Sequence, residues 1–399
     1  MNVLVYIDAL PLDSVSLERT PFIRKLLDQG YNYKLQNIMG YSFAIQSTIL
    51  SGYLPSQTKL WMPYVHTKNS NVYGFKAAAP LARRIKIDVS RSRLLRTMRY
   101  GMNKFILRKG AGVNSISWSI ADKFYIYPYY YMNELPAFIE LERELRTVYE
   151  TRLEYFGPAL HKSGATDHAI RYIKSLSVQR QQFSNNTLLV VYVDVLDHRG
   201  HGYGLGSPIW NSTLVGVDHK MRELHSVLSE VVGNFTFSIF SDHGMSNIEN
   251  TIDIMKILRL MGLDWRKITT FVDATIVNIW LEKQNPSSLQ KALKRVSQDR
   301  FIVFNKEEDI DVLREVGVPL EETCTGDLII QARPGYMFYP NSYSDIKCFK
   351  GAHGYFPDEI CQQSFLNTSI NAEKDLGVNP IHIKDIRKFV LSLVMKNPS

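Results

Sequence analysis

Cysteine is scarce in this chain: Cys324, Cys348 and Cys361 are the only three among 399 residues. So odd and sparse a set excludes a disulfide-stapled scaffold, and no two of them have thiolate metal-site spacing, which points to free thiols in a reduced compartment. Long apolar runs are missing too. No stretch reaches the ~18 consecutive apolar residues expected of a membrane-spanning helix, and Met1 leads straight into Val3 to Ile7 without room for a charged and then apolar leader. A cytoplasmic protein is the expectation. The glycines at 200, 202, 204 and 206 are not followed by Lys-Ser/Thr, which excludes a P-loop. Internal repeats and low-complexity tracts are absent as well.

What is there is ordinary globular material, 45% hydrophobic, enough to bury a large core in one domain with insertions. The net charge of +8, from 47 basic and 39 acidic residues, favours an anionic partner without saying which. Val3 to Ile7, Leu188 to Val193 and Phe235 to Phe240 are short, β-rich runs. Between them lie helical patterns: one opens at Thr20-Pro21, carries Phe22, Ile23, Leu26 and Leu27 and stops at Gly30, and another spans about Leu214 to Val232. This alternation predicts an α/β fold, a three-layer α/β/α sandwich around a mainly parallel sheet. In such sheets ligands gather where strands end.

Metal-binding side chains stand at those ends. Asp8 follows the first run, Asp194, Asp197 and His201 follow the second, and Asp242 and His243 follow the third, while His353 lies between glycines in Gly351-Ala352-His353-Gly354. One such Asp or His alone is usually structural or a helix cap; the set could hold two metal ions. Mixed carboxylate and imidazole donors suit Zn²⁺, with Mn²⁺ second, whereas an all-oxygen set would suit Mg²⁺ or Ca²⁺. Ser42 is the candidate nucleophile. If a helix runs from Phe43 to Ser51, Ser42 is its N-cap, and the free N–H groups there favour an anion. By position alone Ser42 reads as a capping serine, and a neighbouring metal would make it a nucleophile.

Residues 1–62, 187–251 and 342–399 therefore form the predicted metal-binding core. Residues 63–186 read as an inserted helical cap, aromatic from Phe124 to Tyr131 and basic from Ala82 to Lys109, where ten Lys/Arg face the single acidic Asp88. That basic stretch, beginning with Arg83, is a candidate contact for anionic surfaces or, less favoured, for nucleic acid, since cations neutralise phosphates and rings stack on bases. Residues 252–341 form a second, smaller insertion, and a last helix near Ile383 to Leu393 should pack on the sheet. The sequon Asn234-Phe235-Thr236 falls in a predicted strand.

Four ordered motifs resemble the alkaline phosphatase superfamily and, within it, the type I phosphodiesterase/nucleotide pyrophosphatase family. Asp8 matches the Asp ending the family's first strand, and Ser42 stands ten residues before Gly52 as the family nucleophile precedes its Ser/Thr-Gly pair. Asp197-His198-Arg199-Gly200-His201 matches Asp-x-x-Gly-His; Ser241 to Met245 and Gly351 to Tyr355 match the two late motifs. The resemblance implies one metal held by Asp197, His201 and His353, another by Asp8, Asp242 and His243, and Ser42 as nucleophile. It implies phosphoryl transfer between two ions roughly 4 Å apart through a phosphoseryl enzyme, acting on a phosphate ester such as a nucleotide or a sugar or lipid phosphodiester.

Three departures stand out. Ala9 replaces a glycine, Pro55-Ser56-Gln57-Thr58-Lys59 lacks the usual His-Gly, and Ile45 takes the place of the Asn that donates to phosphate, leaving Gln46 and the Phe43 N–H as candidates. Ser42-Phe43-Ala44-Ile45-Gln46 lacks the sulfatase pattern Cys/Ser-x-Pro-x-Arg. Phosphomonoesterase and phospho-headgroup transferase chemistries share the metal core and remain alternatives.

Overall fold

The computed structural model describes residues 1–70, 118–129, 131–158, 164–178, 186–263, 268–282, 284–343, 348–377 and 381–395. The basic stretch from Ala82 to Lys109 lies outside the described residues.

A seven-stranded sheet forms the centre, in the order Ile381–His382, Tyr31–Gln36, Ser364–Thr368, Thr236–Ser241, Asn2–Ile7, Thr187–Val193, Arg152–Phe156. All neighbours pair in parallel except Ser364–Thr368, which runs against both of its own. Every residue of Asn2–Ile7 and Thr187–Val193 is buried. Alternating side chains explain why: Val3, Val5 and Ile7 enter one apolar layer with Ile23, Ile170, Ile173 and Met221, while Leu4 and Tyr6 enter the opposite layer with Ile45, Leu141 and Phe389. Each fully buried aliphatic side chain contributes about 1.5–3 kcal/mol. Helices Pro21–Gln29, Ala165–Val178 and Pro208–Val231 cover the first face, and Ser42–Ser51, Pro136–Val148 and Ile386–Met395 cover the second. The protein is thus a three-layer α/β/α sandwich.

The segment read from sequence as cap contributes more than a cap. Arg152–Phe156 is the sheet's edge strand, paired in parallel with Thr187–Val193, and helices Pro136–Val148 and Ala165–Val178 cover its two faces. Its charges hid it. Arg152 and Glu154 form an ion pair, and Tyr172 donates to Glu154 at 2.9 Å, so one side of this edge strand is polar and the period-2 signal fades. Tyr64–His66 and Phe124–Ile126 pair antiparallel in a small two-stranded sheet of their own.

Within the second insertion four antiparallel strands, ordered Ile268–Val272, Ile276–Leu281, Leu328–Ala332, Phe301–Asn305, carry helix Pro286–Ser297 on one face over a separate apolar cluster. Asp273, Ala274 and Thr275 form the turn between its first two strands. The sequon asparagine lies outside the strand: Asn234 is exposed in the bend before Thr236–Ser241. No helix among the described residues is long and apolar enough to cross a membrane.

Candidate active site

Parallel pairing of Thr236–Ser241, Asn2–Ile7 and Thr187–Val193 brings the carboxyl ends of three strands to one edge of the sheet. Asp242, Asp8 and the helix Val195–Tyr203 start there, and the helix presents Asp197 and His201 one turn apart on a shared side. The six proposed donors gather into two groups, Asp8, Asp242 and His243 in one and Asp197, His201 and His353 in the other, with the donor atoms of each within 4.8 Å of one another. The groups adjoin: the His243 and His353 rings stack with centroids 4.0 Å apart. Asp194 and His198 belong to neither. They lie 3.7 Å apart beside Asp197, with His198 largely exposed.

Backbone carbonyls set the imidazoles. His243 Nδ1 donates to the Gly244 carbonyl and His201 Nδ1 to that of Gly351, both at 2.8 Å, which leaves each Nε2 with a lone pair. Those lone pairs face carboxylate oxygens: His243 Nε2 is 3.5 Å from Asp8 Oδ1 and 3.3 Å from Asp242 Oδ2, and His201 Nε2 is 3.2 Å from Asp197 Oδ1. Acceptor against acceptor is repulsive unless a cation lies between. Asp8 Oδ1, Asp197 Oδ1 and His353 Nδ1 are moreover buried without a hydrogen bond. Three carboxylates, two of them with an orphaned oxygen, and backbone-anchored imidazoles fit a pair of divalent cations.

The charges respond accordingly. Burial, then the charges of Asp242 and Asp197, hold the Asp8 carboxyl well above its ordinary range. Burial also raises Asp242, against the pull of His243. Burial works the same way on Asp197, but a proton on His201, lying between Nε2 and this carboxylate, outweighs it and holds the carboxyl low. Burial and the neighbouring His243 keep His353 well below the usual imidazole range, so it is neutral and ready to donate a lone pair.

Ser42 is the first residue of helix Ser42–Ser51, with Tyr41 in the cap position, so its hydroxyl caps nothing. Ser42 Oγ instead lies 3.0 Å from His243 Nε2. The Tyr41 carbonyl takes the N–H groups of Ala44 and Ile45, whereas the Phe43 N–H belongs to the first turn, where helix N–H groups have no intrahelical partner and favour an anion. Ile45 is fully buried in the apolar layer and offers nothing to a phosphate. Gln46 is buried as well: its amide donates to the Tyr192 hydroxyl at 3.0 Å and to Tyr6 at 3.4 Å. Of the two donors expected in place of Asn, only the Phe43 N–H stays free for substrate.

Tyr6 and Tyr192 went unnoticed in the sequence. Tyr192 donates to Asp8 Oδ2 at 2.5 Å and Tyr6 to Asp242 Oδ2 at 2.6 Å, each reaching diagonally to the next strand, two residues on. A Tyr within an otherwise aliphatic strand was their only signal. Part of the tyrosine run reaches this region: Tyr127 stacks on Phe43 at 5.8 Å, and Tyr129 on Tyr127 at 6.1 Å. Thr275, from the insertion, completes the surround. Its N–H donates to the Tyr41 hydroxyl at 2.8 Å, and its Oγ1 lies 3.0 Å from the His353 carbonyl and 2.9 Å from that of Gly354. Next to it Asp273 is buried against Tyr41, Tyr64 and Tyr343, accepting from Ser342 Oγ at 2.8 Å; burial lifts its carboxyl to about 7.

The model of the family described as type I phosphodiesterase / nucleotide pyrophosphatase matches residues 2–356. The chain belongs to this family. Its members cleave phosphodiester bonds, membership makes this protein an enzyme of that type, and divalent metal ions come with it. Among solved structures, human ectonucleotide pyrophosphatase/phosphodiesterase 5 is similar at 14% identity and a TM-score of 0.62, over 99% of this chain and 94% of that one. The murine counterpart gives 15% and 0.59 over 99% and 95%. An inactive variant of the murine protein in complex with AMP gives 15% and 0.57 over 99% and 94%. At such identities the likeness speaks for the fold, which is that of the alkaline phosphatase superfamily.

Proposed function

We propose that this type I phosphodiesterase cleaves nucleotide-like phosphodiesters or phosphoanhydrides by passing the phosphoryl group first to Ser42 and then to water. One juxtaposition carries the reading: Ser42 Oγ stands 3.0 Å from His243 Nε2, against two donor groups that each hold one buried carboxylate oxygen without a hydrogen bond, Asp8 Oδ1 and Asp197 Oδ1. Asp8, Asp242 and His243 would hold one cation and Asp197, His201 and His353 the other, and the nitrogen and oxygen donor mixture favours Zn²⁺, then Mn²⁺. Bound there, two such ions supply positive charge that acidifies the Ser42 hydroxyl and offsets charge building on the phosphoryl oxygens.

Ser42 Oγ forms the bond to phosphorus while the bond to the departing alcohol or nucleotide breaks on the far side. Water later displaces the seryl oxygen. The Phe43 N–H donates to a phosphoryl oxygen from the helix start. The Phe43 ring, backed by Tyr127, offers a flat apolar face beside the nucleophile for a base or another planar leaving group. That face and the phosphate-ester chemistry favour a nucleotide substrate.

Ser42→Ala should lower turnover of bis(p-nitrophenyl) phosphate by roughly 10³-fold or more, with metal content by elemental analysis unchanged. Wild-type turnover in that variant would reject Ser42 as nucleophile.

A further inference from the structure

We propose that Gln46 is a positioning residue that ties the Asp8, Asp242 and His243 group to the helix carrying Ser42, acting through the hydroxyls of Tyr6 and Tyr192. The inference rests on the two-metal reading of the preceding section. Ser42 and Gln46 are one helical turn apart and share a face. From that face the Gln46 amide donates to both tyrosine oxygens, at 3.0 Å to Tyr192 and 3.4 Å to Tyr6. A phenol has a single proton. With its oxygen already accepting from Gln46, each tyrosine directs that proton to a carboxylate, Tyr192 to Asp8 at 2.5 Å and Tyr6 to Asp242 at 2.6 Å.

The connections form a closed ring. It runs from Ser42 Oγ to His243 Nε2 at 3.0 Å, on to Asp242 and Asp8, whose oxygens face Nε2 at 3.3 and 3.5 Å and would be joined to it by the proposed cation, through Tyr6 and Tyr192, and back by Gln46 to the helix of Ser42. The two phenol rings stack at 4.6 Å, so neither can swing without moving the other. Gln46, Tyr6 and Tyr192 are all buried, and the helical neighbours Ala44, Ile45 and Ile49 are apolar core residues. An amide in such surroundings is costly unless hydrogen-bonded. Here its N–H groups bond the two hydroxyls that orient two proposed metal ligands. A leucine of similar size would fill the space as well, so packing alone does not call for glutamine.

The test is a Co²⁺ titration of the metal-stripped full chain, followed by visible absorption. Wild type should take two equivalents. In Gln46→Leu one equivalent should bind 10–100-fold more weakly, the cost usual for losing a partner of a metal ligand, and its absorption should change. The other equivalent, the one abolished by Asp197→Asn, should be unaltered. Tyr6→Phe and Tyr192→Phe keep the stacked rings and should reproduce the effect, which decides the matter even if Gln46→Leu fails to fold. On bis(p-nitrophenyl) phosphate, kcat should fall while KM changes little. A purely structural role would lower thermal stability yet leave both Co²⁺ affinities and spectra as in wild type, and that outcome overturns the proposal. Should wild type bind fewer than two Co²⁺, the two-metal reading itself fails, and this inference with it.

Discussion

Asp273 allows a stability prediction that can be worked through from its surroundings. The carboxyl is completely buried, and burial raises it from 3.8 to about 7. The folded chain therefore keeps this proton to higher pH than the unfolded chain. From about pH 4 upward the unfolded state deprotonates first, so stability falls with rising pH until the folded carboxyl also ionises near 7, and the loss is then complete. At about 1.36 kcal/mol per unit, the difference between 3.8 and about 7 amounts to roughly 4 kcal/mol at most. Asp273→Asn removes the ionisation while its side-chain oxygen can still accept from Ser342. With an unfolding entropy of about 2.1 cal/mol/K per residue over 399 residues, or about 0.8 kcal/mol/K, the full effect corresponds to about 5 °C. Thermal melts by intrinsic fluorescence at pH 4.5 and pH 8, with metal held constant, should show the variant gaining up to that much on wild type as pH rises. Parallel pH profiles for the two proteins would refute the reasoning.

Removing a proposed ligand should remove an ion: Asp242→Ala and His353→Ala are each expected to lose about one of two metal equivalents by elemental analysis, and unchanged stoichiometry would strike that residue from the ligand set. Ile45→Asn, which restores the residue type usual in the family, should not improve turnover, because position 45 faces the apolar layer. It should cost about 2–4 kcal/mol in a denaturation experiment, and higher activity at unchanged stability would show the side chain reaching substrate. Gly354 has φ +79°, and an added Cβ would lie 2.6 Å from the Tyr41 ring. Gly354→Ala should therefore displace the His353 loop, at about 1–3 kcal/mol, with reduced metal content; a wild-type melting temperature and full metal content would contradict this.

The donors were legible because they stand where apolar strands end, and three such ends meet wherever parallel strands adjoin. Short-range motifs such as Asp197-x-x-Gly-His201 announce themselves, since both proposed ligands lie one turn apart on one helix. Tyr6 and Tyr192 did not, and Gln46 stood out only as a candidate phosphate donor, because the contacts of the two tyrosines depend on diagonal reach across strands separated by more than a hundred residues. The strand Arg152–Phe156 was obscured by the charges that edge strands carry. Ser42 was placed one position off: the helix includes it, and a cap residue differs from a first-turn residue by backbone angles rather than by residue type.

Thr275 has a consequence for anyone who would shorten this protein. Five of the proposed ligands stand directly after central strands or on the helix that follows one, whereas the His353 main chain and the Tyr41 hydroxyl both lean on a hairpin tip that the insertion supplies. Pruning residues 252–341 would keep the barrel of the lock and lose the pin: the sandwich would keep its own layers, yet the last imidazole and the turn leading into the proposed nucleophile would have no buttress.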